Sequence, residues 1–136
     1  MSYPVSVVDG VSPGVAKKLL AIKIRTTGKL LQVASSPQGR RLIAERTGLD
    51  AATILRCANM ADRMRIKGVG REGAELLEVA GVDTVRELRY RNPSNLATRM
   101  KSAMVTAKLT RPLPSEKVLA RWIDDAKRLK LEIRYK

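Results

Sequence analysis

The segment that decides the fold is Arg65-Ile-Lys-Gly-Val-Gly-Arg-Glu-Gly-Ala-Glu-Leu-Leu77. Gly68 and Gly70 predict a tight turn between two helices, because a residue without a Cβ adopts positive φ readily and lets the backbone approach a ligand closely. The amides that open the helix after the turn have no acceptor within that helix. Together with the helix dipole and the side chains of Lys67 and Arg71, these amides predict a small anion site.

The Gly-Val-Gly turn with its flanking helices resembles the helix-hairpin-helix motif, in which helix, turn and helix pack against each other. That resemblance implies that the turn grips a nucleic-acid backbone. The implied contacts are Lys67, Gly68, Val69, Gly70 and Arg71. Residues 7–130 also resemble a bacterial family of tandem helix-hairpin-helix proteins, most of which carry the label domain of unknown function. This wider resemblance implies an all-helical fold without specifying an activity.

Net charge is the second strong constraint on function. The chain has 27 Lys and Arg against 13 Asp and Glu, an excess of 14 positive charges. Residues 1–68 hold 12 basic and 4 acidic groups, and residues 69–136 hold 15 and 9, so the excess belongs to the whole fold rather than to a tail. An excess of one sign destabilises a compact chain by self-repulsion, which a polyanionic partner relieves. The alternative is a surface that is basic only for solubility.

The chain contains an internal repeat, which becomes visible at an offset of 58 positions. Gly10 and Val11 then align with Gly68 and Val69. The other matches at this offset are Ala16 with Ala74, Leu19 with Leu77, Ile24 with Val82, Thr26 with Thr84 and Leu30 with Leu88. At a larger offset, residues 54–64 align with 119–129. We therefore predict a single all-helical domain over residues 1–136, built from pseudo-repeats over 7–64 and 65–130.

Helix start and stop signals punctuate both copies and leave little room for strands. Ser36-Pro37 and Asn92-Pro93 each place a capping residue before a proline at the first helical position. The other signals are N-caps at Asp50 and Ser115, a capping box of Thr84 with Glu87, and helix ends at Gly48 and Gly81. The apolar spacing between them predicts helices over residues 14–22, 28–34, 37–47, 51–65, 71–80, 85–91, 93–109 and 116–129, then an extended tail over 131–136.

The two predicted turns differ in composition. Relative to the second turn, the first has Ser12 in place of the second glycine, and Asp9 and Pro13 in place of the two cations. An acidic side chain repels phosphate and proline removes a donor amide, whereas Lys17 and Lys18 in the following helix compensate in part. The candidate contacts of the first turn are Gly10, Ser12, Lys17 and Lys18. For either turn the alternative is a helix corner that uses glycine only for its conformational freedom.

Other basic side chains would extend a cationic surface around the turns. They are Arg40 and Arg41; Arg63, Arg65 and Lys67; Arg86, Arg89 and Arg91; and Lys127, Arg128 and Lys130. Each group taken alone is also explained as a solvated helix face. Their sum still produces a positive field around the protein.

Base recognition is not expected, because the chain has no Phe, one Trp and three Tyr. Stacking platforms for single strands need exposed aromatic faces, and Trp122 lies on an apolar helical stripe that predicts a core position. The predicted contacts are therefore with phosphate and sugar. Such binding tolerates sequence and weakens with salt, and for two hairpins we expect a slope on the order of −3 to −6 in log K against log salt.

The residue inventory argues against catalysis. The chain has no histidine, which removes the commonest general base near neutral pH and any imidazole ligand for a metal. Cys57 is the single cysteine and lies in a helical stretch that predicts burial. Helix-hairpin-helix DNA glycosylases keep an aspartate some twenty residues beyond the hairpin. In this chain that position falls in residues 89–93, which contain no acid. We therefore predict no enzymatic activity, no cofactor and no metal.

The sequence thus predicts a non-enzymatic module that binds the phosphate backbone of DNA without sequence specificity. Two alternatives stay open: a protein-interaction or scaffold module with the same fold, which the altered first turn favours, and an RNA-associated basic protein. No apolar stretch reaches the roughly 20 residues of a membrane helix, and no secretory signal is visible, so we expect a soluble, cytoplasmic protein without a membrane partner. Since no coiled-coil heptad run is present, a monomer is expected.

Overall fold

The computed structural model describes residues 2–136, which fold into two compact units. Unit 1 comprises the chain up to Arg65 together with Glu132–Lys136, and unit 2 comprises Ile66–Leu131. The described residues form helices and no named strand, apart from one isolated bridge between Pro4 and Thr26. The predicted all-α fold class is therefore confirmed, whereas the duplication into pseudo-repeats stays a prediction. Within residues 2–136 no helix is both long and apolar enough to cross a membrane.

Unit 1 starts with a 3₁₀ helix, Val5–Gly10. Its α-helices are α1 Val15–Ala21, α2 Thr27–Ala34, α3 Pro37–Thr47 and α4 Ala51–Arg63. Helices α2 and α3 both pack against α4. Their apolar faces form one buried core, with Leu30, Ile43 and Ile54 among its members.

Unit 2 contains the second set of α-helices: α5 Gly70–Val79, α6 Val85–Leu88, α7 Pro93–Thr106 and α8 Glu116–Arg128. Helix α5 packs against α7, and both α6 and α7 pack against α8. Leu77, Leu96 and Leu119 are fully buried between these helices. The predicted helices are all present, with ends that differ from the prediction by at most a few residues.

Local capping signals set the helix boundaries, as predicted. The predicted N-caps Ser36, Asp50, Asn92 and Ser115 each accept a hydrogen bond from the amide three residues on. Thr26 caps α2 in the same way, although this cap was not predicted from the sequence. Thr84 and Glu87 form the capping box of α6. Gly48 and Gly81 follow helix ends with φ values of 76° and 87°, a conformation that favours glycine because a Cβ would be strained there.

The 3₁₀ helix is absent from the sequence prediction, which begins its first helix at residue 14. Val5 and Val8 are buried, with 1% and 0% of their surface exposed. The Val5 amide donates to the Arg25 carbonyl at 2.9 Å, and the Thr27 amide donates to the Tyr3 carbonyl at 2.8 Å. Two turns of 3₁₀ helix with two buried apolar side chains are too short to show a periodicity, so these tertiary contacts left no signal in the sequence.

The tail after α8 has no helix or strand over residues 131–136, in agreement with the predicted extended segment. The sequence offered it no partner within the chain, yet it has one in unit 1. The Arg134 amide donates to the Ser35 carbonyl at 2.7 Å, and the Arg40 guanidinium donates to the Arg134 carbonyl at 2.8 Å. Ile133 belongs to the core of unit 1 and is only 6% exposed.

Candidate nucleic-acid interface

The turn before α5 has the backbone conformation that its two glycines predict. Gly68 has a φ of 86° and Gly70 a φ of 59°. Between them, Val69 is in the right-handed helical region and occupies the N-cap position of α5. Val69 has no side chain able to cap a helix, so the first amides of α5 depend on other acceptors.

Two of the amides in this turn have partners inside unit 2. The Lys67 amide donates to Oδ2 of Asp125 on α8 at 3.1 Å, and the Val69 amide donates to the Ile66 carbonyl at 3.2 Å. Among the described residues, an intramolecular acceptor is lacking for the backbone amides of Gly68, Gly70, Arg71 and Glu72. The prediction of unsatisfied amides therefore holds for these four and fails for the first amide of the turn, since Asp125 accepts from it.

The cationic side chains beside the turn differ in their freedom. Lys67 is exposed, and no ion pair is formed by its ammonium group within residues 2–136. Arg71 has 55% of its side chain exposed, and its Nε lies 3.8 Å from Oε1 of Glu75. Arg111 also reaches this carboxylate, at 3.4 Å. Because an exposed pair at such a distance contributes little free energy, Arg71 remains able to turn toward a ligand.

Val69, one of the five residues that the motif resemblance places in contact with nucleic acid, has a packing role. Its side chain is only 4% exposed, and its amide is already bonded to Ile66. We conclude that Val69 anchors the turn to the core, whereas Gly68 and Gly70 on either side present the free amides.

The first turn is built differently from the second. Gly10 is the last residue of the 3₁₀ helix and does not adopt positive φ; in this region only Gly14, the N-cap of α1, does so, with a φ of 86°. Oδ1 of Asp9 accepts a hydrogen bond from the Ala16 amide at 2.9 Å. The carboxylate of Asp9 thus provides the anion at the start of α1, where the second turn leaves amides open.

The remaining predicted contacts of the first turn are Ser12, Lys17 and Lys18. Ser12 is half-buried, and its carbonyl accepts from the Val15 amide at 3.4 Å. Lys17 and Lys18 are exposed on α1. Asp9 satisfies the amide of Ala16 and Pro13 has no N–H to offer, whereas the amides of Ser12, Gly14 and Lys17 have no acceptor among the described residues.

Two arginines predicted to widen the cationic surface are engaged inside unit 1 instead. Arg63 is buried, with 1% of its surface exposed. Arg65 donates to Oδ1 of Asp62 through Nε at 3.0 Å and through Nη2 at 2.6 Å, and the carboxylate of Asp62 is itself buried. The prediction that these guanidinium groups lie on an open face was wrong, because the sequence does not reveal that the end of α4 turns into the core.

Arginines of unit 2 also bind main-chain carbonyls. Arg89 donates to the Ala126 carbonyl at 2.9 Å and to the Leu129 carbonyl, at the end of α8. Arg91 donates to the Gly81 carbonyl at 3.3 Å, just beyond the end of α5. These guanidinium groups satisfy carbonyls that a helix end leaves unpaired. Arg86, within the short helix α6 that precedes them, is exposed.

Arg40 is fixed at the junction between α3 and the tail. Its guanidinium donates to the Ala34 carbonyl at 2.9 Å as well as to Arg134, and it lies 6.0 Å from the ring centroid of Tyr135. Burial lowers the pKa of Arg40 below its ordinary value, and the nearby Arg41 lowers it further, whereas Tyr135 raises it. Arg40 therefore stabilises the tail, and Arg41 is the member of the pair that is exposed.

The metal-ligating residue types do not cluster in the described part of the chain. Within residues 2–136, no group of three or more histidine, cysteine or acidic side chains is placed to hold a metal ion. Cys57 is buried in the core of unit 1, as predicted.

Comparison with known proteins assigns the chain to a family. The model of the family described as "Domain of unknown function (DUF4332)" matches residues 9–129, and the chain belongs to that family. No curated protein and no solved structure matches the chain.

Proposed function

We propose that this member of the DUF4332 family is a helix-hairpin-helix protein that binds the phosphate backbone of duplex DNA without sequence specificity. The observation that carries the proposal is the second turn. It presents four backbone amides for which residues 2–136 supply no acceptor, at the N-terminus of a helix and beside the exposed ammonium group of Lys67. Backbone amides and a positive helix end together favour a phosphate group.

Charge on a larger scale supports the same proposal. Acidic side chains border the second turn: Asp125 accepts from the Lys67 amide, and Glu72 is exposed in the first turn of α5. The attraction toward a polyanion therefore depends on the excess of 14 positive charges in the whole chain, with the open turn fixing where one phosphate binds. Binding of this kind is steered by the overall field and weakens steeply with salt.

A docking function receives less support from the surface. The large apolar residues that are exposed among residues 2–136 lie on different helices or on different segments outside them: Leu20, Leu42, Tyr90, Val105, Leu113 and Tyr135. Single exposed apolar side chains are normal on a soluble protein, and a docking site requires a continuous patch. RNA as the ligand is an outcome of the experiment below, since both nucleic acids offer the same phosphate chemistry.

The proposal is tested by fluorescence anisotropy with labelled duplex DNA of arbitrary sequence, titrated at several salt concentrations. We expect the double variant Lys67→Glu, Arg71→Glu to lose on the order of 50-fold in affinity at about 0.1 M salt, and its slope in log K against log salt to become shallower by about 2. A duplex RNA of the same sequence, run in parallel, identifies the preferred nucleic acid.

A matched control separates the turn from general charge. The variant Arg86→Glu, Lys101→Glu changes the same number and kind of charges at exposed positions of α6 and α7, outside the turn. It should lose affinity only through the reduced overall field, by a few-fold. Equal losses in both variants, with unchanged helical circular dichroism, would show that the turn has no special role. Absence of DNA and RNA binding by the parent protein would refute the proposal altogether.

A further inference from the structure

The single tryptophan of the chain lies against the second turn. Trp122, on α8, is 6% exposed, so the predicted core position is confirmed. A Cβ placed on Gly68 would lie 3.7 Å from the indole Nε1, and one placed on Gly73 would lie 3.1 Å from Cη2. The ring therefore spans from the turn to the first part of α5, with its nitrogen at the Gly68 end.

The indole N–H is the one polar group of this side chain, and it lacks a protein acceptor among the described residues. Its nitrogen is not among the buried polar atoms of the described residues that lack a partner, so the N–H reaches solvent although the rest of the ring is buried. An indole N–H placed in this way is free to donate to an acceptor that enters from solvent.

The indole borders an open groove in unit 2. This groove has a volume of about 590 Å³, and its lining includes Lys67, Gly68, Arg121, Trp122 and Arg128. The groove and the open amide of Gly68 therefore share one edge. A phosphate seated at the turn would have the indole N–H and the cationic side chains within the same small region.

Two carboxylates, Asp124 and Asp125, also line the groove. Asp125 is engaged on both sides: Oδ2 accepts from the Lys67 amide at 3.1 Å, and Oδ1 lies 3.6 Å from Nη2 of Arg128. Asp124 is exposed and repels an anion at this site. Asp125 and Arg128 pair with each other, which leaves Lys67 and Arg121 against Asp124. The groove therefore has an excess of one positive charge and favours a phosphate over a cation.

We propose that Trp122 is a phosphate-binding residue, whose Nε1–H donates a hydrogen bond to a backbone phosphate oxygen held at Gly68. The inference rests on the proposed function and deepens it, because it adds a donor from α8 to the contacts of the turn. Gly73 leaves room for the ring in this position, because a Cβ there would lie 3.1 Å from Cη2 of the indole.

The experiment uses the natural chain and needs no variant for its first part. Because Trp122 is the only tryptophan, a ¹⁵N-labelled sample has one indole N–H cross-peak, which reports on this group alone. The sample is titrated with a short DNA duplex and, in a second arm, with inorganic phosphate at the same ionic strength. We expect the indole cross-peak to shift together with the amide peaks of Gly68 and Gly70 on addition of DNA. A shift in the phosphate arm as well would show that a free phosphate ion suffices.

The variant Trp122→Phe removes the donor while keeping an aromatic side chain in the core. We expect it to bind DNA about tenfold more weakly than the parent, which corresponds to one hydrogen bond to a charged group. Thermal unfolding identifies any general loss of structure in the variant. If the variant does not fold, the DNA-induced shift of the indole cross-peak in the natural chain tests whether Trp122 contacts the phosphate.

The failure of this inference is distinct from the failure of the proposed function. If DNA shifts the Gly68 and Gly70 amides while the indole cross-peak stays in place, Trp122 is a packing residue only and the turn still binds phosphate. A folded Trp122→Phe variant with the affinity of the parent leads to the same conclusion. If neither the amides nor the indole respond to DNA, both proposals are wrong.

Discussion

The two glycine turns differ in the charge that lies at the start of the following helix. In the first turn, Asp9 accepts from the Ala16 amide at 2.9 Å and supplies the negative charge that the helix start favours. In the second turn, the corresponding residue is Lys67, and among the described residues the amides of Gly70, Arg71 and Glu72 at the start of α5 have no internal acceptor. The shared glycine-valine pair therefore does not by itself fix the charge at the helix start, which the residue before it decides.

A second pair of turns shows the opposite outcome, a shared backbone with different residues. At the end of the first helix of each unit, an amide donates to a carbonyl five residues earlier: Ile24 to Leu19 at 3.0 Å, and Val82 to Leu77 at 2.8 Å. The residue before each donor has positive φ, 66° for Lys23 and 87° for Gly81. These positions are 58 apart, the offset of the predicted repeat. The scaffold is thus alike in the two units at this point, while the glycine turns diverge.

The largest effect is expected from giving the second turn the acid of the first. The variant Lys67→Asp should bind duplex DNA about 30-fold more weakly at about 0.1 M salt, since a cation next to the phosphate becomes an anion. Anisotropy titrations measure this change. The reciprocal variant Asp9→Lys should bind DNA a few-fold more tightly, though Pro13 still withholds one donor. A Lys67→Asp variant with the parent's affinity would show that the charge at position 67 does not contribute to DNA binding.

Glycine at position 68 should matter for stability where glycine at position 10 does not. Gly68→Ala introduces a Cβ at a φ of 86°, and we expect the free energy of unfolding in urea to fall by about 1 to 2 kcal/mol. The nearest neighbour of that Cβ would be Trp122 Nε1 at 3.7 Å, an ordinary contact, so the cost is conformational. Gly10→Ala, within the 3₁₀ helix, should change the unfolding free energy by less than about 0.5 kcal/mol. Equal costs at both positions would contradict the described difference in backbone.

The hydrogen bond of Asp9 should be measurable as stability. Asp9→Ala leaves the Ala16 amide without its acceptor, and we expect a loss of about 1 kcal/mol in the free energy of unfolding. Asp9→Asn, which retains a side-chain oxygen, should recover most of that loss. In the second turn, Lys67→Ala should have almost no effect on stability, because the Lys67 side chain caps nothing. If Asp9→Ala is as stable as the parent, the hydrogen bond from the Ala16 amide to the Asp9 carboxylate does not stabilise the protein in solution.

The smallest effect concerns Lys23, which has the positive φ that glycine has in unit 2. Lys23→Gly should raise the free energy of unfolding by about 0.5 kcal/mol. Glycine relieves the backbone strain at positive φ, but it also increases the conformational entropy of the unfolded chain, which offsets part of that gain. Gly81→Ala should lower it, and its Cβ would also lie 3.4 Å from Nη2 of Arg99. Chemical denaturation of the two variants provides the comparison. A destabilised Lys23→Gly would show that the lysine side chain makes a contact that outweighs the strain.

The helices were predictable because their signals are local. A capping serine or asparagine followed by proline acts within one turn, and the predicted pairs do start helices at Pro37 and Pro93. Ser12-Pro13 does not, since α1 begins at Val15 with Gly14 as its N-cap. The 3₁₀ helix was not predictable, since Val5 and Val8 are placed by contacts with the distant residues around Arg25. Local sequence signals therefore predict the α-helices, whereas the 3₁₀ helix depends on tertiary contacts that such signals do not contain.

The site was predictable in its backbone and not in its surroundings. Positive φ at Gly68 and Gly70 follows from the residue type, and the structure agrees. That Asp125 bonds the Lys67 amide from α8, and that Trp122 places its nitrogen next to Gly68, depends on how α8 packs against the turn. A periodic apolar stripe identifies Trp122 as buried, but it contains no information on which atom of the ring faces which neighbour.

The placement of Ile133 makes the folding of unit 1 depend on the order of synthesis. Residues 2–65 emerge from the ribosome first, yet the side chain that completes their core is translated only after all of unit 2. Domains generally fold in the order in which they emerge. Unit 1 is an exception, because its core stays partly exposed until Ile133 has been translated. A fragment that stops at Arg65 would therefore be less stable than the same helices in the whole chain.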